Sequence, residues 1–437
     1  MTKVTEMELE GRPSRPAETE AAASSVETPP ILAIAELQVE EEIKRHKGQL
    51  EDDGISPIWV EWEPADPANP YNWSLARKWF ITSMGTAFTL VVAWSGSSFP
   101  FGNSTMIPDL NCSRDLAALA FGMFPLGFGL APLVLAPFSE AYGRYPMYVL
   151  SSFLYAVTII PTALAKNIET VVILRLLTGF AASPGSTIVG GTIADMFETS
   201  QRGPPMALFS VGTMVGTGLG PALMGWVGEK KDWRYIQWIN LAIAIALFIC
   251  ATTMTRETRG SVLLSKKAKK LRKETGNQRY ACKSDAERES LLILVKYSLT
   301  RPLYLLFTEP IVAAFSLWVG FCWGIMYLSL QAASLIFENV YGFTVGQTGS
   351  VFWVAVLGAF FGSIGNYVQE QLYRKNHAKK GPEARLYASL VAGLLFPAGL
   401  FIFGFAQGRG HWMGPVIGLL LVYISIFTIY LATFKSG

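Results

Sequence analysis

Residues Gly212–Trp226 read GTMVGTGLGPALMGW, and this stretch decides the fold. Gly212, Gly216 and Gly220 recur every four residues, so on a helix they form one stripe without side chains. In a soluble helix so many glycines would cost roughly 1 kcal/mol each relative to alanine. In lipid the backbone hydrogen bonds cannot be exchanged for water, so the helix persists. A stripe of small residues then lets two helix backbones approach closely. Gly218 and Gly225 thin the helix further, and Pro221 removes a donor and bends the axis. The stretch is expected to be a membrane helix, either simply close-packed or forming a seam that moves.

Composition agrees with a membrane chain. Of 437 residues 51% are hydrophobic and 16% charged, and the mean hydropathy is +0.33; soluble domains average about 25% charged. A net charge of +3 leaves no electrostatic footprint for nucleic acid. Cys112, Cys250, Cys282 and Cys322 are scattered without metal-ligand spacing. His46, His377 and His411 fall outside every expected span, which argues against a metal site or a hydrolase triad at membrane depth. Neither a metal, a cofactor nor an enzyme activity is expected.

Taken in order, residues 1–57 are acidic, rich in Glu, Ala, Ser and Pro, and predict a disordered tail with a short helical piece around 34–47. Residues 58–78, IWVEWEPADPANPYNWSLARK, interleave Trp59, Trp62 and Trp73 with prolines, as an extended segment at headgroup level would. Ten apolar runs follow, each near the ~20 residues that cross a bilayer. They lie at 79–99, 117–138, 146–165, 170–195, 205–227, 235–254, 303–328, 346–368, 386–406 and 412–434. The expected organisation is all-α and polytopic. It comprises the tail (1–57), an amino-terminal half of six spans (58–255), a basic linker (256–302) and an incomplete carboxyl-terminal half of four (303–437).

The linker carries Lys266, Lys267, Lys269, Lys270, Arg272, Lys273 and Arg279, whereas residues 329–345 carry no Lys or Arg. Positive charge concentrates in cytoplasmic loops, so the amino terminus is expected in the cytoplasm. The sequons at Asn103 and Asn111 would then fall in the first external loop, as candidate glycosylation sites.

Ionisable residues inside lipid are costly and therefore candidates for function. Arg175 lies in the fourth run and either snorkels to the headgroups or faces a cavity lined by the small residues that follow, Ser183 and Ser186 among them. Glu140 and Arg144 stand at i,i+4 around Gly143, and Asp195 closes the fourth run at a similar depth. These charges could form an inner-face cluster that loosens when a carboxylate is protonated, or they are solvated loop charges. Glu309 reads as interfacial, and apart from Asp195 the other runs lack carboxylates. Trp318, Trp323 and Tyr327 are candidates to line a substrate cavity. Ala355, Gly358, Ala359 and Gly362 form a second small-residue stripe, the expected partner of the first.

Six stretches together resemble the major facilitator superfamily, specifically fungal drug:proton antiporters with twelve spans. They are DPANPYNWSLARKW before the first span, APFSEAYGRYPMY between the second and third, RLLTGFAASPGST in the fourth, GTMVGTGLGPALMGW in the fifth, RETRGSVLL after the sixth and RPLYLLFTEPIVAAFSLW entering the seventh. The resemblance implies a rocker-switch transporter driven by the proton gradient. By motif match Glu140, Gly143 and Arg144 would act with Asp195 in an inner gate, and Arg175 in proton coupling. Gly212, Gly216, Gly220, Pro221 and Gly225 would form the antiporter seam. Tyr145 departs from the pattern, which often has a second basic residue there. The partners so implied are the bilayer, a small amphipathic substrate and protons, in a monomer at the plasma membrane. Export is the first expectation. Proton-coupled uptake by the same fold is the second, and a shortened chain that does not transport is the third.

Overall fold

A computed structural model describes residues 57–286, 291–380, 384 and 386–436. The acidic tail and the helical piece expected at 34–47 lie outside the described residues.

The ten expected runs are ten membrane-length helices. Spans one to six are Leu75–Ser98, Arg114–Tyr142, Arg144–Ala163, Ile168–Met196, Gly203–Lys230 and Trp233–Met254. Spans seven to ten are Pro310–Asn339, Trp353–Lys380, Tyr387–Phe405 and Met413–Ser436, with a short helix Val345–Val351 leading into span eight. Local chemistry marks several starts. Ser113 accepts from the Leu116 N–H and Asn167 from the Thr170 N–H, each satisfying a donor that a helix terminus leaves free. Thr344 and Gln347 form a reciprocal capping box ahead of span eight.

In the amino half, span two packs on span four, span one on span five, and span three on spans four and six. In the carboxyl half, span ten packs on spans eight and nine. The halves meet chiefly where span five lies along span eight and its leading helix. Aromatic pairs cross the same boundary, Phe101 with Phe352 and Phe121 with Tyr327. Leu126, Leu130, Ile173, Leu317 and Leu394 are among the many large apolar side chains left exposed, as a lipid-facing surface requires.

Two expectations change. Span seven runs on to Asn339, so it contains Glu338, a half-buried carboxylate beyond the expected end at residue 328. The basic linker is folded rather than a loop: it holds a helix Gly260–Thr275 and leads into another, Leu291–Thr308, which packs on span two. The segment before span one is held by the linker, a partner the sequence reading did not assign. Its strand β1 (Ile58–Trp59) pairs in parallel with β2 (Tyr280–Ala281) of the linker. Val60, Ala268 and Cys282 form a small buried core beneath that pairing.

The first sequon lies in a short helix of the connection between spans one and two. Asn103 opens a helix, Asn103–Asp109, continuous with the end of span one, and its amide oxygen is buried. Thr105 of the same sequon accepts the Trp233 N–H at 2.9 Å. Asn111 is exposed, in a turn with a left-handed φ of 46°.

Candidate functional site

Three groups of residues stand along the bundle, at the end carrying the linker, within the membrane and at the opposite end.

At the linker end the chain turns between spans two and three at Gly143, whose φ of 105° only glycine adopts freely. The space that a side chain would fill there is taken by the Glu257 carboxylate. Glu257 accepts from the backbone N–H of Arg144 at 2.9 Å, Tyr145 at 3.3 Å, Thr258 at 3.0 Å and Arg259 at 2.8 Å. One buried carboxylate thus pins the start of span three to the chain leaving span six. The Arg144 side chain turns inward, donating to Asp195 at 3.1 Å and to the Ser139 hydroxyl at 2.6 Å. The other Asp195 oxygen takes Arg259 at 3.2 Å.

The expected pairing of Glu140 with Arg144 is therefore absent. The break at Gly143 ends one helix and begins the next, so residues 140 and 144 do not share a helical face. Glu140 instead lies mostly exposed, 4.0 Å from Arg259. Asp195 does meet Arg144, as the depth of the two suggested. Glu257, Arg259 and Ser139 were missed; RETRG, quoted above for its resemblance, held the first two. Tyr145, which departs from the family pattern of a second basic residue, donates its hydroxyl to the Thr252 carbonyl at 3.3 Å and so fastens span three to the end of span six.

Within the membrane Arg175 is only 2% exposed, so it does not snorkel. Its guanidinium lies 4.4 Å from the Phe99 ring centroid and 4.5 Å from that of Phe124. Such cation–π contacts are worth roughly 2 kcal/mol when desolvated, well short of the several kcal/mol that burying an ion costs. Its one recorded hydrogen bond is a long one, 3.5 Å to the Gly96 carbonyl, and its Nε has no partner among the described residues. Nor does it pair with any carboxylate among them. A buried cation without a counter-charge is held by its surroundings rather than satisfied by them.

The residues expected around a cavity divide. Trp323 and Tyr327 stand together, 6.3 Å between rings, with Tyr430 beside Trp323 and Phe121 of the other half beside Tyr327. Trp318 is elsewhere on span seven, beside Phe315 and facing span nine at Gly393. Ser183 donates to the Phe128 carbonyl at 2.7 Å, which commits it to holding span four on span two. Ser186 is buried with no partner among the described residues. Unforeseen was a buried pair in the carboxyl half, the hydroxyls of Ser329 and Tyr423 at 3.1 Å.

The glycine stripe faces span one, not span eight. Gly212 abuts Thr86, Gly216 abuts Leu90 and Ala93, and Gly220 abuts Trp94 and Ser97. Span eight meets a second face of the same helix. A Cβ at Gly218 would sit 2.9 Å from the Ala355 methyl, and one at Gly225 3.0 Å from the Gly349 Cα. Each residue turns a helix by about 100°, so Gly218 lies some 200° from Gly216 and points to the other side. Gly358 and Gly362, the supposed partners on span eight, face Tyr423 and Phe427 of span ten. Pro221 joins the second face, its carbonyl against Gly349.

At the opposite end polar links cross between the halves. The Trp226 indole donates to the Ser350 hydroxyl at 2.9 Å, and Glu229 accepts the Gly346 N–H at 2.9 Å. Within the amino half Arg234 donates to Asp109 at 2.5 Å and to the Ala165 carbonyl at 2.9 Å, tying three connections together.

Two helical sets joined along a thin seam, with ionic ties at both ends of the amino half and a buried cation inside it, suit the architecture of a secondary transporter. The chain belongs to the major facilitator superfamily, whose family model matches residues 83–436. It is 34% identical to the Efflux pump radE of Floropilus chiversii over 86% of this chain and 72% of that protein. It is 32% identical to the Multidrug transporter TPO1_2 of Candida glabrata over 84% of this chain and 65% of that one. Among solved structures it is similar to a bacterial homolog of the human lysosomal transporter Spinster, with TM-score 0.57, 15% identity and coverage of 83% and 76%. The xylose transporter XylE of E. coli gives TM-score 0.55 at 15% identity, with coverage of 82% and 89%. These two likenesses concern the fold. The chain is thus a multi-pass membrane transporter of small molecules and not an enzyme.

Proposed function

We propose that this transporter exports small amphipathic molecules from the cytoplasm in exchange for protons, with the amino terminus and linker on the cytoplasmic side of the plasma membrane. The observation that carries the reading is Arg175: a buried guanidinium without a carboxylate partner, held in a frame of aromatic rings. Its charge repels a proton arriving nearby and attracts electron-rich groups, so it can make proton and substrate occupancy compete. The similarity of the chain to an efflux pump and to a multidrug transporter supports the direction. Trp323 and Tyr327 would supply flat apolar surface for a substrate between the halves.

The ionic tie of Arg144, Asp195 and Arg259 would serve as the inner gate. Protonation of Asp195 removes the charge that both arginines share and favours the state in which the tie is open. Pro221, Gly218 and Gly225 would be the part of span five along which span eight shifts, while Gly212, Gly216 and Gly220 stay fixed on span one. Asn111, exposed in its turn, is the better glycosylation acceptor of the two sequons.

The test is reconstitution of the purified chain into vesicles with an imposed pH gradient and a fluorescent amphipathic dye that carries no positive charge. Dye movement opposite to the proton gradient, abolished by collapsing that gradient, is the expected result. Dye accumulation in the direction of proton flow would make the protein a symporter. No gradient-dependent flux in protein shown to be folded would remove the coupling.

A further inference from the structure

The linker helix Gly260–Thr275 has two faces with different fates. Leu264, Ala268 and Leu271 recur at i, i+4 and i+7 and turn into the small core with Val60 and Cys282. Lys266, Lys269, Lys270 and Lys273 recur at i, i+3, i+4 and i+7 on the opposite side, and all four are exposed. Lys270 pairs with Glu274 along the helix at 3.6 Å; the other three have no ion pair recorded among the described residues.

The segment before span one already supplies carboxylates to this linker. Asp66 takes Lys267 at 2.7 Å, and Glu61 takes Lys283 at 2.5 Å. Strand pairing fixes the same segment in place, since the Ile58 N–H donates to the Arg279 carbonyl at 2.8 Å. Residue 57, where the described chain begins, therefore lies beside the linker. Residues 1–56 contain thirteen carboxylates against six Lys and Arg, while residues 255–286 contain ten Lys and Arg against three carboxylates, so the two stretches are opposite in charge. The nearest acidic run, Glu51, Asp52 and Asp53, lies five to seven residues before Ile58. At about 3.3 Å per residue it reaches roughly 20 Å, enough to pass around a helix about 10 Å across.

We propose that Glu51, Asp52 and Asp53 dock on the Lys266, Lys269, Lys270 and Lys273 stripe, so that the acidic tail covers the cationic face of the linker helix. The contact extends the existing Asp66–Lys267 and Glu61–Lys283 interface toward the amino terminus and does not depend on the direction of transport. Each pair is a weak surface interaction, but the tether supplies an effective concentration that a free acidic peptide lacks. Anionic lipid headgroups are the competing occupant of such a stripe, and the sequence places a covalently attached one within reach.

The full chain in nanodiscs of phosphatidylcholine alone tests this directly. Zero-length carbodiimide coupling followed by peptide mass spectrometry should join the 51–53 segment to these lysines. Acetylation of the same lysines should speed up by roughly three- to tenfold in E51Q/D52N/D53N, the scale of a few tethered surface pairs, while Lys375 reacts as before. Unchanged acetylation in that variant, with no cross-links in the parent, overturns the proposal. Protection that appears only when phosphatidylserine is added assigns the stripe to the membrane and overturns it equally.

Discussion

Glu229, near the end of span five, accepts the backbone N–H of Gly346 where span eight is entered, 2.9 Å away. A Cβ on Gly346 would come within 2.6 Å of that carboxylate and 2.7 Å of the Trp226 ring. The two halves are thus fastened at the end away from the linker by the Glu229 carboxylate and the Trp226 indole, which reach from span five to the Gly346 N–H and the Ser350 hydroxyl. The exchange proposed above would require this fastening to part.

Glu229→Ala should therefore favour the state open at this end. The check is the rate at which a thiol reagent added from that side labels Ser350→Cys, which should rise when Glu229→Ala is combined with it. Equal labelling in both backgrounds would mean that the Glu229 bond does not hold the ends together. Gly346→Leu should act in the same direction through bulk.

The two faces of span five predict different failures. Gly216→Val puts a branched side chain against the Leu90 carbonyl in a contact internal to one half, so folded yield and Tm should fall. Overpacking of a close contact costs roughly 1–3 kcal/mol. Gly218→Val meets Ala355 and Val356 across the boundary between halves, so transport should fall further than Tm. Gly320 and Gly324, where a Cβ would meet nothing within 4 Å, should accept alanine with neither loss. Differential scanning fluorimetry beside vesicle flux separates these outcomes.

Glu257→Ala strips the acceptor from four backbone N–H groups at once. Hydrogen bonds to a charged group contribute about 1.5–3 kcal/mol each without being additive, so a loss on the order of 3 kcal/mol is expected at the linker end. Glu257→Gln, which keeps one acceptor oxygen, should lose less. Hydrogen exchange at residues 144–145 and 258–259 reports it; slow exchange in the alanine variant would count against the role.

Arg175→Ala should abolish proton-driven flux while the protein still inserts and folds, because the cavity it leaves is apolar and lined by Phe99 and Phe124. Arg175→Lys keeps the charge but not the flat guanidinium between two rings, and should retain part of the flux. Wild-type coupling in the alanine variant would reduce the arginine to a packing residue.

The hydrogen bond from Lys267 holds the Asp66 carboxyl below its ordinary value of 3.8, with the Ala68 N–H adding to the effect. A carboxyl with a lowered folded pKa stabilises above its unfolded value, and loses that contribution as pH falls through the folded one. The pairing of the pre-span segment with the linker should accordingly be unaffected at neutral pH and weaken below about pH 4. Trp62 stands under Lys267, so its fluorescence should report the change. Asp66→Asn should show the acid spectrum at every pH.

The spans were legible because each needs about twenty apolar residues in a row, whatever it packs against. The direction of a glycine stripe was not. Composition says that a neighbour comes close, but which neighbour depends on the rotation of span five, and Gly212 and Gly218 face different helices. The pairing of Arg144 with Asp195 followed from depth alone, whereas Glu140 was misplaced by assuming a continuous helix through Gly143. Glu257 and Arg259 lie more than a hundred residues from Arg144, and only folding brings them together. In the linker, alternating lysines hid a leucine face whose partner, Val60, precedes every span.

Span five is a wall only one backbone thick. Span one lies against its bare side at Gly216, and span eight lies against the other at Gly218. No layer of flexible side chains stands between them to absorb a displacement. A force pressing span eight onto the Gly218 face would reach span one across a single backbone, whereas a slide along that face would leave the Gly216 contact in place.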